Sequence, residues 1–322
     1  MSAPLLEVQN LKLYYPVKVR KNALFSEKGF VKAVDDISFT VNQGETFGLV
    51  GESGCGKSTT GKTIVKLLRP TEGHILFEGK DIFAPENKAD LTTRIQIIFQ
   101  DPYSSLDPRF TVGRCIAEPM VVHKIGTPKE REERVRQLMA DVGLRPEHYT
   151  KYPHEFSGGQ RQRIGVARAL ALNPSLIVCD EPVSALDVSI LAQILNLMQD
   201  LQAKYSLTYI FISHNLSVVK HLCDRIAVMY LGNIVEIAGK NDLFDHPSHP
   251  YTNALLDAIP VPDPEIPTMQ EMLEGDVPSP MNPPAGCCFH TRCKKACERC
   301  SREKPALREI APGHQVACHL AE

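Results

Sequence analysis

The stretch from Phe47 to Leu68, FGLVGESGCGKSTTGKTIVKLL, constrains this chain more than any other. An apolar run from Phe47 to Val50 meets a glycine-rich turn. A segment with apolar residues at Ile64, Val65, Leu67 and Leu68 follows, so the order reads strand, loop, helix. Gly51, four residues, then Gly56, Lys57 and Ser58 complete a P-loop. Glycines let successive backbone N–H groups converge on one point, and the following helix adds its positive N-terminal end. A phosphate chain is then held mainly by backbone, by Gly51, Ser53, Gly54, Cys55, Gly56, Lys57, Ser58 and Thr59. Lys57 reaches the β- and γ-phosphates, and Ser58 offers a hydroxyl to Mg²⁺. A chance lysine after a glycine turn is the plainer alternative, but it leaves the flanking strand and helix unexplained.

At 322 residues the chain has room for one large domain and a smaller appendage, here divided at residues 1–245 and 246–322. A hydrophobic fraction of 43% suffices for a core, and a net charge of −2 gives no general attraction to nucleic acid or anionic lipid. No apolar run approaches the roughly 20 residues that span a bilayer, and MSAPLLEVQN lacks a signal-peptide core. A cytoplasmic protein, soluble or docked on a partner, is therefore expected. Six of the ten cysteines lie between Cys287 and Cys318, which points to a local metal site instead of a disulfide framework.

Before the P-loop, LLEVQNLKLYY reads as a first strand, and VKAVDDISFTVNQGE as a strand hairpin closed near Asn42 to Gly44. The basic insert between them, PVKVRKNALFSEKGF, reads as a solvated loop. Tyr15 ends the first strand, where an aromatic either stacks on a nucleotide base or packs into the core. After the P-loop helix, HILFEGKDI is a short hairpin and RIQIIFQ an apolar strand ending at Gln100. Residues from about 101 to 160 form a mainly helical insertion that includes an amphipathic helix from Pro128 to Val142.

Ser157, Gly158, Gly159 and Gln160 open the next helix with a hydroxyl, bare amides and a helix N-terminus pointing one way. Alone this is a serine cap. In a chain with one P-loop, a second phosphate nest suggests that two chains share their nucleotides. Leu176-Ile177-Val178-Cys179 is a fully apolar strand ending in Asp180-Glu181. A carboxylate at such a tip meets Mg²⁺ through water, and Glu181 is placed to take a proton from the attacking water. Tyr209 to Ser213 is another buried strand, followed by His214, whose position at a strand end favours a γ-phosphate contact over a structural role. RIAVMYLGNIVEIAG closes the core as a hairpin.

Along nearly its whole length the chain resembles the ATP-binding subunits of ABC transporters. GESGCGKST resembles Walker A, Gln100 the Q-loop, FSGGQ the signature, LIVCDE Walker B, SALD the D-loop and His214 the H-loop. The resemblance implies an α/β P-loop ATPase core with a helical subdomain and a small Cys-rich C-terminal extension. It implies that Tyr15 stacks on adenine, that Ser58, Gln100 and Asp180 serve Mg²⁺, and that Lys57, Glu181 and His214 act in ATP hydrolysis. It also implies a head-to-tail dimer holding two ATPs between Walker A of one chain and the signature of the other. Phe156 stands where leucine is commoner. Within the family, the PVKVRKNALF insert, DPYSSLDPR, HPSHPYTNALLDAIP and GCCFHTRC resemble the second ATPase of bacterial dipeptide and oligopeptide importers. The implied partners are a paralogous ATPase, two integral membrane permeases and, indirectly, a solute-binding protein, at the cytoplasmic face of the inner membrane. Nickel and glutathione importers share the pattern. A soluble ABC ATPase acting on nucleic acid is the rival of another class; the chain has neither a second cassette nor a long coiled-coil insertion, and no nucleic-acid partner is expected.

Residues 260 to 286 carry eight prolines, which suit an extended linker. Beyond it, Cys287, Cys293, Cys300 and Cys318 are separated by five, six and seventeen residues, and four thiolates can bind zinc or a [4Fe–4S] cluster. Cys288 and Cys297 are extra, and Cys297 with Cys300 makes a C-x-x-C that zinc could use. The importer resemblance implies the iron–sulfur cluster.

Overall fold

The computed structural model describes residues 3–22, 25–182, 187–259 and 275–321. Along the chain come β1 (Leu6–Asn22), β2 (Phe25–Val41), β3 (Thr46–Val50), α1 (Lys57–Ile64), β4 (Glu72–Phe77) and β5 (Lys80–Asp81). Then follow α2 (Lys88–Arg94), β6 (Ile95–Ile98), α3 (Pro102–Ser105), α4 (Val112–Val122), α5 (Pro128–Asp141), α6 (Gly158–Leu170), β7 (Leu176–Asp180) and α7 (Val188–Tyr205). The rest is β8 (Thr208–Ser213), α8 (Leu216–Leu222), β9 (Arg225–Tyr230), β10 (Asn233–Gly239), α9 (Lys240–Asp245), α10 (Pro250–Asp257), α11 (Glu298–Arg302), β11 (Arg308–Ala311) and β12 (His314–Val316). These elements gather into two compact units, Met1–Val41 with Phe47–Asp81 and Ser213–Glu322, and Asn42–Thr46 with Ile82–Ile212.

In the first unit, β1 pairs antiparallel with β2 and with β4, giving the strand order β2-β1-β4-β5. The other strands of this unit run β11-β12-β10-β9-β3. There β3 is parallel to β9, and β10 pairs antiparallel with both β9 and β12. All five residues of β3 are buried, as a continuous apolar run requires when both faces of a strand are covered. Burying each such Leu or Val stabilises by roughly 1.5–3 kcal/mol.

Two expectations fail here. The basic insert is no loop: β1 and β2 continue through it as a ribbon, paired from Pro16 with Phe30 to Asn22 with Phe25. Val17 and Val19 alternate with Lys18 and Arg20, which is the period of a strand. Nor does the turn at Asn42 to Gly44 close a hairpin. The Glu45 carboxylate accepts from Asn42 N at 2.9 Å and Nδ2 at 2.7 Å, and the chain leaves the partner of β1 to become the partner of β9. The apolar content of β3 draws it to a buried sheet, away from its neighbour in sequence.

In the second unit, β6, β7 and β8 are parallel in that order. β7 and β8 are buried throughout. Helix α5 starts with Pro128 behind a capping box, in which Thr127 and Glu130 satisfy each other's backbone N–H. Its buried side chains, Val135, Leu138 and Met139, fall at helical spacing. Among the described residues no helix is long and apolar enough to cross a membrane.

Candidate active site

The phosphate-binding loop lies in the first unit. α1 begins at Lys57 behind Gly56, whose φ of 108° lies in the left-handed region. A Cβ there would stand 2.3 Å from the Ala33 carbonyl oxygen of β2, so the backbone packing admits only glycine. The turn between β9 and β10 braces the loop from another side, where Gly232 N donates to Cys55 O at 2.9 Å. Lys57 is 4% exposed. Its ammonium donates to Gly51 O at 2.8 Å and Glu52 O at 2.9 Å, and stands 3.7 Å from Cys55 Sγ. The cation thus rests on its own loop, and these carbonyls are what a phosphate must replace. Burial pushes the Cys55 thiol up, against the opposing charge of Lys57. Ser53 and Gly54 are exposed, and Ser58 and Thr59 half-buried.

Tyr15 is 38% exposed and pairs with Val31 on β2, two residues from the carbonyl that touches Gly56. Its ring is therefore one strand away from the loop and open to a planar ligand. His214 is exposed after β8. It is followed by Asn215, whose side chain caps α8 by accepting from Ser217 N and Val218 N.

In the second unit the structure brings Gln100 and Glu181 together, with Gln100 Nε2 donating to Glu181 Oε2 at 2.9 Å. Asp180, the last residue of β7, is 3% exposed. Glu181 has a left-handed φ of 47°, an uncommon conformation for a non-glycine residue and one that clusters at functional sites. Its N–H donates to Ile212 O of β8 at 3.0 Å, which fixes the turn after β7. Gln100 and Asp180 offer amide and carboxylate oxygens, hard donors of the kind Mg²⁺ takes. With its amide nitrogen on Glu181, Gln100 keeps its carbonyl oxygen for such an ion.

Ser157 caps α6. Its hydroxyl accepts from Gln160 N at 3.4 Å, while Gln160 Oε1 accepts from Ser157 N at 3.1 Å. Gly158 is half-buried and Gly159 buried. Phe156 is buried against the edge of His148, with ring centroids 5.0 Å apart. Of the SALD stretch, Ser184, Ala185 and Leu186 lie outside the described residues, as does linker segment 260–274.

At the C-terminal end, Cys287 N donates to Cys300 O at 2.8 Å. Burial pushes Cys287 up to about 11, and the nearby Cys300 and Cys318 add to the rise. Cys293 is raised by burial and then by Cys318 and Cys300. The four thiols thus share one electrostatic neighbourhood. Among the described residues, however, no three His, Cys, Asp or Glu side chains are arranged to hold a metal ion. Zinc with bonds of about 2.3 Å needs its sulfurs about 3.8 Å apart. Cys297 and Cys300, with sulfurs 3.5 Å apart, come that near. The arrangement does not match a single zinc ion. Four thiolates are also the donor set that a [4Fe–4S] cluster takes.

Sequence reasoning passes over three residues around this site. Glu52, inside the P-loop, forms a two-bond ion pair with Arg292 and donates its N–H to the Tyr251 hydroxyl at 2.9 Å. The GCCFHTRC and HPSHPYTNALLDAIP stretches that carry these partners are distinctive in sequence, but neither reveals where in the fold it contacts.

Comparison with known proteins bears on the whole chain. Residues 34–184 match the ABC transporter family, and residues 235–300 match the oligopeptide/dipeptide transporter C-terminal region. The oligopeptide transport ATP-binding protein AppF of Bacillus subtilis (strain 168) is 54% identical over 322 residues, covering 98% of this chain and 97% of AppF. A Brucella ovis protein named as a peptide import ATP-binding protein is 50% identical over 317 residues, covering 98% of this chain and 97% of its own. Among solved structures, cbiO1 of Clostridium perfringens, part of the transporter complex cbiONQ, superposes with a TM-score of 0.64 at 26% identity, over 76% of this chain and 92% of its own. The ATP-binding cassette MJ0796, in a dimeric post-hydrolysis state bound to ADP and Pi, gives 0.63 at 25% identity, over 73% and 98%.

Proposed function

Since the chain belongs to the ABC transporter ATP-binding family and is the ATPase subunit of an oligopeptide importer, we propose the following division of labour among its residues. The amides of Gly51 and of Ser53 to Thr59 bind the phosphates, and Lys57 exchanges the Gly51 and Glu52 carbonyls for the β- and γ-phosphate oxygens. Tyr15 stacks on adenine. Ser58, Asp180 and Gln100 hold Mg²⁺, which neutralises charge developing on the phosphoryl oxygens. Glu181 takes a proton from the attacking water, and Gln100, already hydrogen-bonded to it, positions that carboxylate. His214 contacts the γ-phosphate. The Ser157–Gln160 end of one chain closes over the ATP bound by another, so the nucleotide joins a head-to-tail dimer, and the other chain is a paralogous ATPase.

Permeases in the membrane and a substrate-binding protein complete an importer of this kind. The protein works at the cytoplasmic face of the inner membrane, attached through the permeases. Cys287, Cys293, Cys300 and Cys318 would hold a [4Fe–4S] cluster, whose chemistry is electron storage and cross-linking of the extension. The extension's own residues pack the end of the chain against β10. The names of the relatives favour peptides over nickel or glutathione. A nucleic-acid role has no support in the net charge of −2.

The Gln100–Glu181 bond beside buried Asp180 is the observation that carries the hydrolytic assignment. Glu181→Gln should bind ATP, trap the closed dimer and lower turnover by about 10²–10⁴-fold. Single-turnover hydrolysis and sizing of the ATP-bound complex test it, and normal turnover would refute Glu181 as the base.

A further inference from the structure

Glu52 is an odd residue to find in a loop that binds phosphate, because its carboxylate adds negative charge where a triphosphate must enter. It is held at three points. Its N–H donates to Tyr251 Oη at 2.9 Å, and its carbonyl accepts from Lys57 Nζ at 2.9 Å. Its carboxylate accepts two bonds from Arg292, at 2.8 Å from Nη1 and 3.1 Å from Nη2. Tyr251 comes from α10, and Arg292 directly precedes Cys293, so both lie in the C-terminal extension.

The platform under this pair is buried and aromatic. The Arg292 side chain is 5% exposed and that of Glu52 26%. The guanidinium lies 5.9 Å from the Tyr230 ring centroid. Tyr230, Tyr251 and Phe289 form a cluster of buried rings with centroids 4.7, 5.2 and 5.3 Å apart. The Glu52 carboxylate raises the Arg292 pKa above the ordinary arginine value, so the guanidinium stays charged. An exposed ion pair contributes little, but removing one partner of a desolvated, two-bond pair leaves the other charge uncompensated. Lysine cannot replace the planar fork.

We propose that Arg292 and Tyr251 are positioning residues of the nucleotide site, through which the C-terminal extension neutralises Glu52 and shapes the phosphate-binding loop before ATP arrives. This rests on the reading of Gly51 to Ser58 as the triphosphate site. Arg292 touches no reacting atom, so its loss weakens ATP binding and spares the chemical step. Charge and shape are separable. If neutralisation dominates, Glu52→Gln relieves the defect of Arg292→Ala.

The test uses the full-length chain purified with its transporter subunits, and measures KM for MgATP, kcat and amide hydrogen exchange over residues 51–58. Arg292→Ala should raise KM by about tenfold, keep kcat within about threefold, and speed exchange in the loop. Arg292→Lys should raise KM by about threefold, because it keeps the charge and loses the fork. Arg292→Ala combined with Glu52→Gln should return KM to within about threefold of the parent. Should Arg292→Ala not fold, the lysine variant and Glu52→Gln alone decide, the latter leaving KM unchanged or lower. An unchanged KM in both arginine variants, or a fall in kcat at constant KM, overturns the proposal. Lys57→Ala is the control: if it too binds ATP normally, the P-loop reading itself fails, whereas loss of binding there with normal binding in the arginine variants condemns the clamp alone.

Discussion

Helices α1 and α6 both follow a small cap residue, Gly56 and Ser157, yet their first turns are finished differently. At α1 the cap residue is Gly56, in the left-handed region and with no side-chain cap bond. Its shape is imposed from outside, by Ala33 O against Gly56 and by Gly232 N on Cys55 O. At α6 the first turn is satisfied from within, by the reciprocal bonds of Ser157 and Gln160. The first arrangement leaves the amides to a ligand and lets the fold pay for their geometry. The second is stable as an ordinary capped helix and offers a hydroxyl at the surface. One end is built to bind within a single chain, the other to meet something that arrives.

The contrast can be broken at its first member by Lys57→Ala, which should weaken ATP binding at least about a hundredfold in equilibrium titration. The same measurement on Ser157→Ala should show affinity within about twofold, and equal losses in both would erase the distinction. Next comes backbone geometry. Gly56→Ala meets a carbonyl oxygen at 2.3 Å and should cost about 3 kcal/mol in denaturant unfolding. Gly54 has φ 80°, but no atom stands within 4 Å of where its Cβ would sit, so Gly54→Ala should cost only about 1 kcal/mol.

A third helix start sharpens the comparison through pH. α10 is capped by His249, whose Nδ1 accepts from Tyr251 N at 3.1 Å. Burial pulls the His249 pKa down to about 4 from its ordinary 6.5. The unfolded chain therefore binds the proton first. Stability from the neutral ring is complete above about pH 6.5 and is lost as pH falls toward 4, amounting to about 2 kcal/mol by pH 5. Unfolding across that window should show the slope in the parent and a flatter one in His249→Asn. Smallest is the cap itself: Ser157→Ala should lower stability by about 1 kcal/mol.

The features legible in the sequence are those whose partners are neighbours. The P-loop, the cap at Ser157 and the apolar strand ending in Asp180 each declare themselves within a few residues. The ribbon through Asn22 is hidden because its lysines and arginine suggest a solvated loop and mask the alternation of Val17 and Val19. The turn after Val41 misleads because sheet choice depends on the burial of β3, not on the turn. The grip of Arg292 on Glu52 spans 240 residues, and no local pattern marks it. For the cysteines, spacing identifies a set of thiols, but their arrangement is a property of the packed extension.

Fully buried Glu236 of β10 accepts bonds from Ser248 N at 2.8 Å, His249 N at 3.0 Å and, 78 residues further on, His314 Nε2 at 2.7 Å. At the usual rate of about 5–20 residues per second, the ribosome takes about 4–16 s to make the intervening chain. During that interval a carboxylate destined for the interior lacks one of its three donors. A chain cut short before His314 leaves Glu236 buried without that donor, and should accordingly be less stable and more readily degraded.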